Sequence, residues 1–182
     1  MAGENQTVKK TNRRGPVRRL LAPSAALAGL VAVPAALAAP AFAEEPEELK
    51  STVTDTAGVI SDEKALRDTL ASTRDKTHKS VYIVFVKNFG SKTNDTWAKE
   101  AFRKSGLSRS DSVIAVATEL NRFSLFAGGT GYSVAELRNA LDGSGVYDKW
   151  RSGDWAGGAK SVASNLEENA AKKEKANSKG AG

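Results

Sequence analysis

Three aspartates have the residue type and the position that divalent-metal chemistry requires. Asp55, Asp111 and Asp154 each lie in a predicted loop beside regular structure, and carboxylate oxygens are hard ligands that suit Ca²⁺ or Mg²⁺. The same residues have a structural alternative, in which Asp55 closes a turn, Asp111 begins a strand and Asp154 caps a helix. No calcium loop of the EF-hand type decides between the two. The sequence therefore leaves open a metal site formed by these three carboxylates.

A glycine-rich segment is the second candidate, in this case for an anion. Residues 128–133 read Gly-Gly-Thr-Gly-Tyr-Ser and precede a predicted helix, so the N–H groups of Gly129 and Gly131 would be placed to cradle a phosphate. Arg122 is a nearby cation that would assist. The segment matches neither a Walker loop nor a dinucleotide-binding fingerprint. Its structural alternative is a turn that needs positive φ, with Arg122 engaged in cross-strand pairing.

A conventional nucleophile–base pair is absent from the sequence, and no catalytic residue is predicted. His78 is the only histidine, so any histidine base must be this residue. It lies near the predicted end of the first helix, where a histidine favours the helix dipole. The sequence has no Gly-x-Ser-x-Gly elbow, and with one histidine and no cysteine a zinc site is nearly excluded.

Residues 1–43 have the pattern of an export signal. A basic stretch at 9–19 leads into the apolar run 20–39, and Ala41-Phe42-Ala43 follows as a small-x-small cleavage site. Cleavage after Ala43 would yield a protein that is secreted or held in the cell envelope. The alternative is an uncleaved membrane anchor, which the two prolines and the many alanines of the run disfavour. We expect membrane association only through such an uncleaved signal, since no second apolar segment long enough to span a bilayer follows.

The net charge argues against a nucleic-acid partner. The chain carries +6, but six of its 27 basic and one of its 21 acidic residues lie in 1–43, which leaves the remainder at +1. Several lysines of that remainder lie in residues 170–182, which we predict to form a basic flexible tail. A nearly neutral domain gives no support for binding a polyanion.

Helix and strand patterns alternate between residues 51 and 169. β-Formers predict buried strands over 81–86 and 112–117, and the alternation over 122–127 predicts the antiparallel partner of a hairpin. Helical spacing predicts a helix from 62 to about 78 with Ser61 as its cap, and three further helical segments follow Asn94, Ser133 and Asp154. This order predicts a single α/β domain, with a small mixed β-sheet sandwiched between helices on both faces.

Three segments together resemble the TPM domain family over roughly residues 51–168. They are 53–61 (Val-Thr-Asp-x-Ala-Gly-Val-Ile-Ser), 111–117 with the arginine and glycine loop that follow it, and 153–158 (Gly-Asp-Trp-Ala-x-Gly). The resemblance implies a Rossmann-like αβα sandwich in an exported or membrane-associated protein. Some members are described as acid phosphatases, some as calcium binders and some as accessory factors in photosystem repair. The resemblance therefore implies a fold more directly than an activity.

The chain departs from the family pattern after the hairpin. Members commonly carry acidic residues there, of the type Gly-Leu-Glu…Pro-Asp, whereas residues 130–134 read Thr-Gly-Tyr-Ser-Val and the next acid is Glu136. If those carboxylates hold a cation in relatives, part of that site is missing here.

Two functions follow from these observations. The first is an exported TPM-type module that binds an envelope or membrane protein without catalysis. Its expected organisation is a signal at 1–43, an acidic linker at 44–50, the domain at 51–169 and the tail. The alternative is a divalent-metal-dependent phosphatase that uses Asp55, Asp111 and Asp154, with Arg122 or the glycine loop on the phosphate. Ca²⁺ or Mg²⁺ is the only cofactor that either hypothesis suggests.

Overall fold

Residues 44–180 are described by a computed structural model; the predicted signal, its cleavage site at Ala43 and the last two residues lie outside them. The sheet has four strands, which lie side by side in sequence order: β1 (Val53–Asp55), β2 (Ser80–Val86), β3 (Asp111–Ala117) and β4 (Arg122–Ala127). The first three are parallel, and β4 runs antiparallel to β3. The predicted mixed sheet and its hairpin are confirmed.

Five helices within residues 44–180 cover the sheet, and the predicted sandwich with helices on both faces is confirmed. They are α1 (Glu63–Thr77), α2 (Trp97–Lys104), α3 (Val134–Leu141), α4 (Val146–Arg151) and α5 (Trp155–Gly180). Helices α1, α3, α4 and α5 pack on one face, where Ile83, Phe85 and Leu166 belong to the core. Helix α2 packs on the other face and buries Trp97 against Val84 and its neighbours.

The two crossovers between the parallel strands pass on opposite faces. Helix α1 connects β1 to β2 on the first face, and α2 connects β2 to β3 on the second. Both connections step in the same direction across the sheet, so they have opposite hands and one is the rare left-handed form. The chain therefore leaves the carboxyl ends of β1 and β2 toward opposite faces, which opens a crevice between these ends.

Side-chain caps fix the start of α1 and of α3. The carboxylate of Asp62 accepts the N–H of Ala65 at 2.9 Å and caps α1, so the prediction of Ser61 was wrong by one residue. At α3 the hydroxyl of Ser133 accepts the N–H of Glu136, and the Glu136 carboxylate accepts the N–H of Ser133. This reciprocal capping box corresponds to the Ser-x-x-Glu pattern of residues 133–136.

The segment 44–50, predicted as an acidic linker, packs against the domain. Leu49 is only 5 % exposed, and its N–H donates to the hydroxyl of Ser105 at 2.8 Å. The ammonium of Lys104 donates to the carbonyl of Pro46 at 2.7 Å. Pro46 and Leu49 are the two buried positions among exposed glutamates, and their burial holds the segment in place.

Helix α5 continues to Gly180 and includes most of the predicted flexible tail. The tail is helical because alanine, lysine and glutamate are good helix formers, and because Lys172 pairs with Glu168 one turn earlier at 2.8 Å. Residues 171–180 are exposed. Within residues 44–180, none of the helices combines the length and the apolar composition that a bilayer span requires.

Candidate functional site

The three candidate metal ligands are divided between the carboxyl and the amino ends of the parallel strands. Asp55 ends β1 and lies level with Phe85 and, one strand further, with Val116. Asp111 begins β3 five residues before Val116, which corresponds to about 16 Å along the strand. Asp154 precedes α5. The ring of Trp155, the first residue of α5, packs edge-to-face on Phe85. The structure therefore separates Asp111 from Asp55 and Asp154.

Each of these carboxylates accepts hydrogen bonds from groups close to it in sequence. The donors are the N–H groups of Gly58 and Ile60 for Asp55 (2.9 and 2.6 Å), the N–H and hydroxyl of Ser108 for Asp111 (both 2.8 Å), and the N–H of Gly157 for Asp154 (2.8 Å). These bonds close two turns and cap α5. Among residues 44–180, no three or more His, Cys, Asp or Glu side chains are grouped so that they could hold a metal ion.

The glycine loop packs against the turn before β3, and its N–H groups bind carbonyls of the protein itself. The N–H of Gly128 donates to Asp111 at 3.0 Å, and those of Thr130 and Gly131 donate to Arg109 at 2.8 and 3.2 Å. A Cβ on Gly128 would lie 2.8 Å from three main-chain oxygens of residues 108–111. Glycine is needed here for the close approach of two backbones. The N–H of Gly131 is therefore not free to cradle a phosphate.

Arg122 lies at the other end of β4 from the glycine loop. It begins β4 opposite Ala117, whereas Gly129 and Gly131 follow Ala127. The six residues of the strand span about 20 Å. The structure therefore separates the arginine from the glycines that the sequence combines in one anion site.

Arg122 instead lines a cleft of about 400 Å³ beside β4. Phe123, Leu125 and Leu141 form apolar walls of this β4 cleft, and Arg122, Arg138, Asp95 and Asp142 place charges of both signs around it. Within the described part of the chain, Arg122 and Arg138 take part in no ion pair. Sequence reasoning missed Arg138, because only the fold brings α3 beside β4.

Tyr147 forms one wall of the β4 cleft. Its hydroxyl donates to the carboxylate of Asp142 at 2.9 Å, and its ring packs on Phe123 with centroids 5.6 Å apart. Burial, the hydrogen bond to Asp142 and the negative charge of that residue raise the pKa of Tyr147 to about 12. The phenol therefore stays neutral near pH 7 and acts as a hydrogen-bond donor.

His78 is a helix-end residue, as the sequence predicts. It ends α1 in the left-handed conformation with φ of 56°. It shares an open groove with Ser164 and Glu167 of α5, but no hydrogen bond joins these three side chains. The Glu167 carboxylate instead accepts from Thr73 at 2.8 Å and from Lys76 at 2.7 Å. A nucleophile and its base must be within hydrogen-bond reach, so this groove contains no assembled triad.

The Gly-Asp-Trp corner joins α4 to α5. Gly153 takes φ of 83° between the two helices. The indole N–H of Trp150 donates to the carbonyl of Trp155 at 3.0 Å. The same indole packs so closely on Gly158 that a Cβ there would overlap it. The residues of this corner therefore act in packing.

The crevice between β1 and β2 contains a carboxylate that sequence reasoning missed. The carboxylate of Glu44 accepts from the hydroxyl of Thr56 and from the N–H of Lys87, the latter at 3.0 Å. Thr56 follows β1 and Lys87 follows β2, so the carboxylate bridges both strand ends. One of its donors is a main-chain N–H, which no residue type in the sequence can indicate.

Fold and surface together define a small αβα sandwich domain with a four-stranded mixed sheet, in which the three candidate aspartates serve as caps and turn anchors. The chain belongs to the TPM domain family, whose model matches residues 53–169.

Two curated relatives come from Mycobacterium tuberculosis. UPF0603 protein Rv2345 (strain ATCC 25618 / H37Rv) and UPF0603 protein MT2410 (strain CDC 1551 / Oshkosh) are each 28% identical to this chain over 134 residues. The match covers 71% of this chain and 20% of each relative. This chain thus corresponds to about a fifth of the length of the curated relatives it matches.

Two solved structures share the fold. One is the solution structure of the N-terminal domain of the cg2496 protein from Corynebacterium glutamicum, with a TM-score of 0.56 and 24% identity over 71% of this chain and 86% of that one. The other is the N-terminal domain of a P. gingivalis protein, with a TM-score of 0.56 and 18% identity over 64% of this chain and 80% of that one. At these identities the similarity extends to the fold alone.

Proposed function

We propose that this protein is an exported, non-catalytic TPM module that binds an extended segment of another envelope or membrane protein along the free edge of β4. The main support is the edge itself. Within residues 44–180, β4 pairs with a strand on one side only, and the β4 cleft lies beside it. An unpaired strand edge offers N–H and C=O groups to an incoming strand.

The register of the hairpin indicates which groups face the edge. The N–H of Gly128 points to Asp111 of β3, and the direction of the main-chain groups alternates along a strand. The N–H and C=O groups of Phe123, Leu125 and Ala127 therefore point away from β3. A peptide added here would pair with these groups and extend the sheet by one strand.

The chemistry of the β4 cleft suits a peptide better than a phosphate ester. Its walls include aromatic rings and two leucines, and Val134 beside it is 42 % exposed. Arginines and aspartates occur together around it, so a phosphate would meet repulsion as well as attraction. An extended segment with one apolar anchor and charges of either sign matches this surface.

The metal-dependent phosphatase is the less favoured alternative, because the structure separates Asp111 from Asp55 and Asp154.

Export is part of the proposal, and it rests on the pattern of residues 1–43. Amino-terminal sequencing of the protein recovered from the envelope and the medium tests it. We expect the chain to begin at Glu44. An amino terminus at Met1, in protein that remains in the cytoplasm, would contradict export.

Site-directed photocrosslinking tests the binding surface. A benzoylphenylalanine at position 134 reports on the β4 cleft, and the same probe at Lys64 serves as the control because Lys64 is exposed on α1. We expect a discrete adduct with one envelope protein from position 134 only. The adduct should decrease at least tenfold in an Arg138→Glu variant, which changes an exposed residue of the cleft.

Two results would contradict the proposal. One is equal crosslinking from positions 134 and 64, which would indicate unspecific contact. The other is hydrolysis of a phosphomonoester that requires Ca²⁺ or Mg²⁺ and is lost in an Asp154→Asn variant, since this would support the phosphatase instead.

A further inference from the structure

The crevice between the carboxyl ends of β1 and β2 is the position at which open α/β sheets bind their ligands. Such crevices form where neighbouring strands send their connections to opposite faces. Here the chain after β1 leads to α1 on one face, and the chain after β2 leads to α2 on the other. The hairpin and the glycine loop contribute nothing to this place.

A carboxylate of the protein itself occupies this crevice. Glu44 accepts hydrogen bonds there from the hydroxyl of Thr56 and the main-chain N–H of Lys87. These donors come from two strand ends that are far apart in sequence. Their convergence on one carboxylate identifies a preformed pair of donors for a small oxyanion. Glu45 and Glu47 also line this place, and the ammonium of Lys92 is paired with the carboxylates of Glu45 at 3.7 Å and Glu100 at 3.0 Å.

We infer that the β1–β2 crevice is a binding site for a small oxyanion, a carboxylate or a phosphate, and that Glu44 is its built-in competitor. The inference goes beyond the binding of a partner at β4, because it concerns the ends of β1 and β2 and would hold whether or not that partner exists. A ligand gains access when the carboxylate of Glu44 leaves. The apparent affinity is then the intrinsic affinity of the open site multiplied by the fraction of molecules in which Glu44 has left it.

The segment that carries Glu44 is bound through its main chain by Trp97, Lys104 and Ser105. It has no regular secondary structure, and Glu45, Glu47 and Glu48 are exposed. Only Pro46 and Leu49 are buried along it. The Glu44 side chain can therefore leave the crevice while Leu49 stays in place. Displacement requires the loss of two hydrogen bonds, each with a modest net free energy because water replaces the partner.

The test compares the full chain with a Glu44→Ala variant. The probes are sodium phosphate and sodium acetate at constant ionic strength, and the observable is the NMR chemical shift of the Lys87 amide. Glu48→Ala is the matched control, since it removes the same charge from an exposed position of the same segment. We expect saturation in Glu44→Ala at an anion concentration at least tenfold lower than in wild type or in Glu48→Ala.

A second variant shows that the response comes from this crevice. Adding Thr56→Val to Glu44→Ala removes one of the two donors and should weaken anion binding about tenfold. The anion that saturates the site at lower concentration, acetate or phosphate, identifies the preferred class. Equal titrations in wild type and Glu44→Ala would overturn the inference. So would a Lys87 amide that responds to neither anion in Glu44→Ala.

Discussion

The indole N–H of Trp97 donates a hydrogen bond of 2.8 Å to the main-chain carbonyl of Glu44. Trp97 is the first residue of α2. It is fully buried and packs on Phe89 with ring centroids 5.6 Å apart. The bond therefore connects the core of one face to the residue whose carboxylate fills the β1–β2 crevice. The position of Glu44 depends on a core residue more than 50 positions later in the sequence.

A Trp97→Phe variant tests this connection. It keeps an aromatic ring in the core but removes the N–H, so the carbonyl of Glu44 loses its partner. We expect a loss of about 1–2 kcal/mol in the free energy of unfolding in urea and faster hydrogen exchange at the Lys87 amide. Trp155→Phe is the control, because it also shortens an aromatic ring but leaves Glu44 untouched. Unchanged exchange at Lys87 in Trp97→Phe would show that the bond does not hold the segment.

Calcium or magnesium should leave the stability of the folded protein unchanged. A cation that binds only the native state would raise Tm with its concentration. The carboxylates of Asp55 and Asp154 instead accept hydrogen bonds from N–H groups of their own turns. Asp111 lies at the amino ends of the parallel strands, away from both. We expect the same Tm in millimolar Ca²⁺, in millimolar Mg²⁺ and after chelation. A rise of several degrees that Asp55→Asn abolishes would contradict this expectation.

The sheet could be predicted because its information is local. The segments 81–86, 112–117 and 122–127 are rich in β-formers, and each lies in a strand of the structure. The capping box at Ser133 is equally local, since its two partners are three residues apart. Such patterns act within one element and do not depend on the order of the strands.

The relative positions of the candidate aspartates could not be predicted, because they depend on the order and the directions of the strands. Asp55 ends one parallel strand and Asp111 begins another, so only the directions of β1 and β3 place them at opposite ends of the strands. The packing of residues 44–50 against the domain could not be predicted for another reason. Glutamates dominate its composition, while its buried Leu49 belongs to the core that α2 forms with the sheet, far away in sequence.

The glycine loop provides a test of backbone packing. A Cβ on Gly128 would meet three carbonyl oxygens at 2.8 Å, and main-chain atoms cannot move aside as a flexible side chain can. We expect Gly128→Ala to cost about 2–4 kcal/mol in the free energy of unfolding. Gly180→Ala is the control, since a Cβ at Gly180 would contact nothing within 4 Å. A fully stable Gly128→Ala variant that binds phosphate less tightly than wild type would favour the anion-cradle interpretation.

The carboxylate of Glu136 connects α3 to the end of α1. It accepts from the N–H of Ser133 at 2.7 Å and from the ammonium of Lys79 at 3.2 Å. Partial burial alone would raise the pKa of Glu136. The hydrogen bonds from Ser133 and Lys79, together with the positive charge of Lys79, outweigh burial and lower the pKa from 4.5 to about 2.

This shift predicts how stability depends on pH. Because the pKa is lower in the folded state, ionised Glu136 stabilises the fold fully above pH 4.5, and that contribution is lost as the pH falls toward about 2. Glu136→Gln should therefore cost about 1–2 kcal/mol at pH 7, allowing for solvent screening, and the difference from wild type should narrow below pH 4.5. Urea unfolding at several pH values measures it, with exposed Glu174→Gln as the control. A difference that stays constant from pH 7 to pH 3 would attribute the loss to packing and not to the charge.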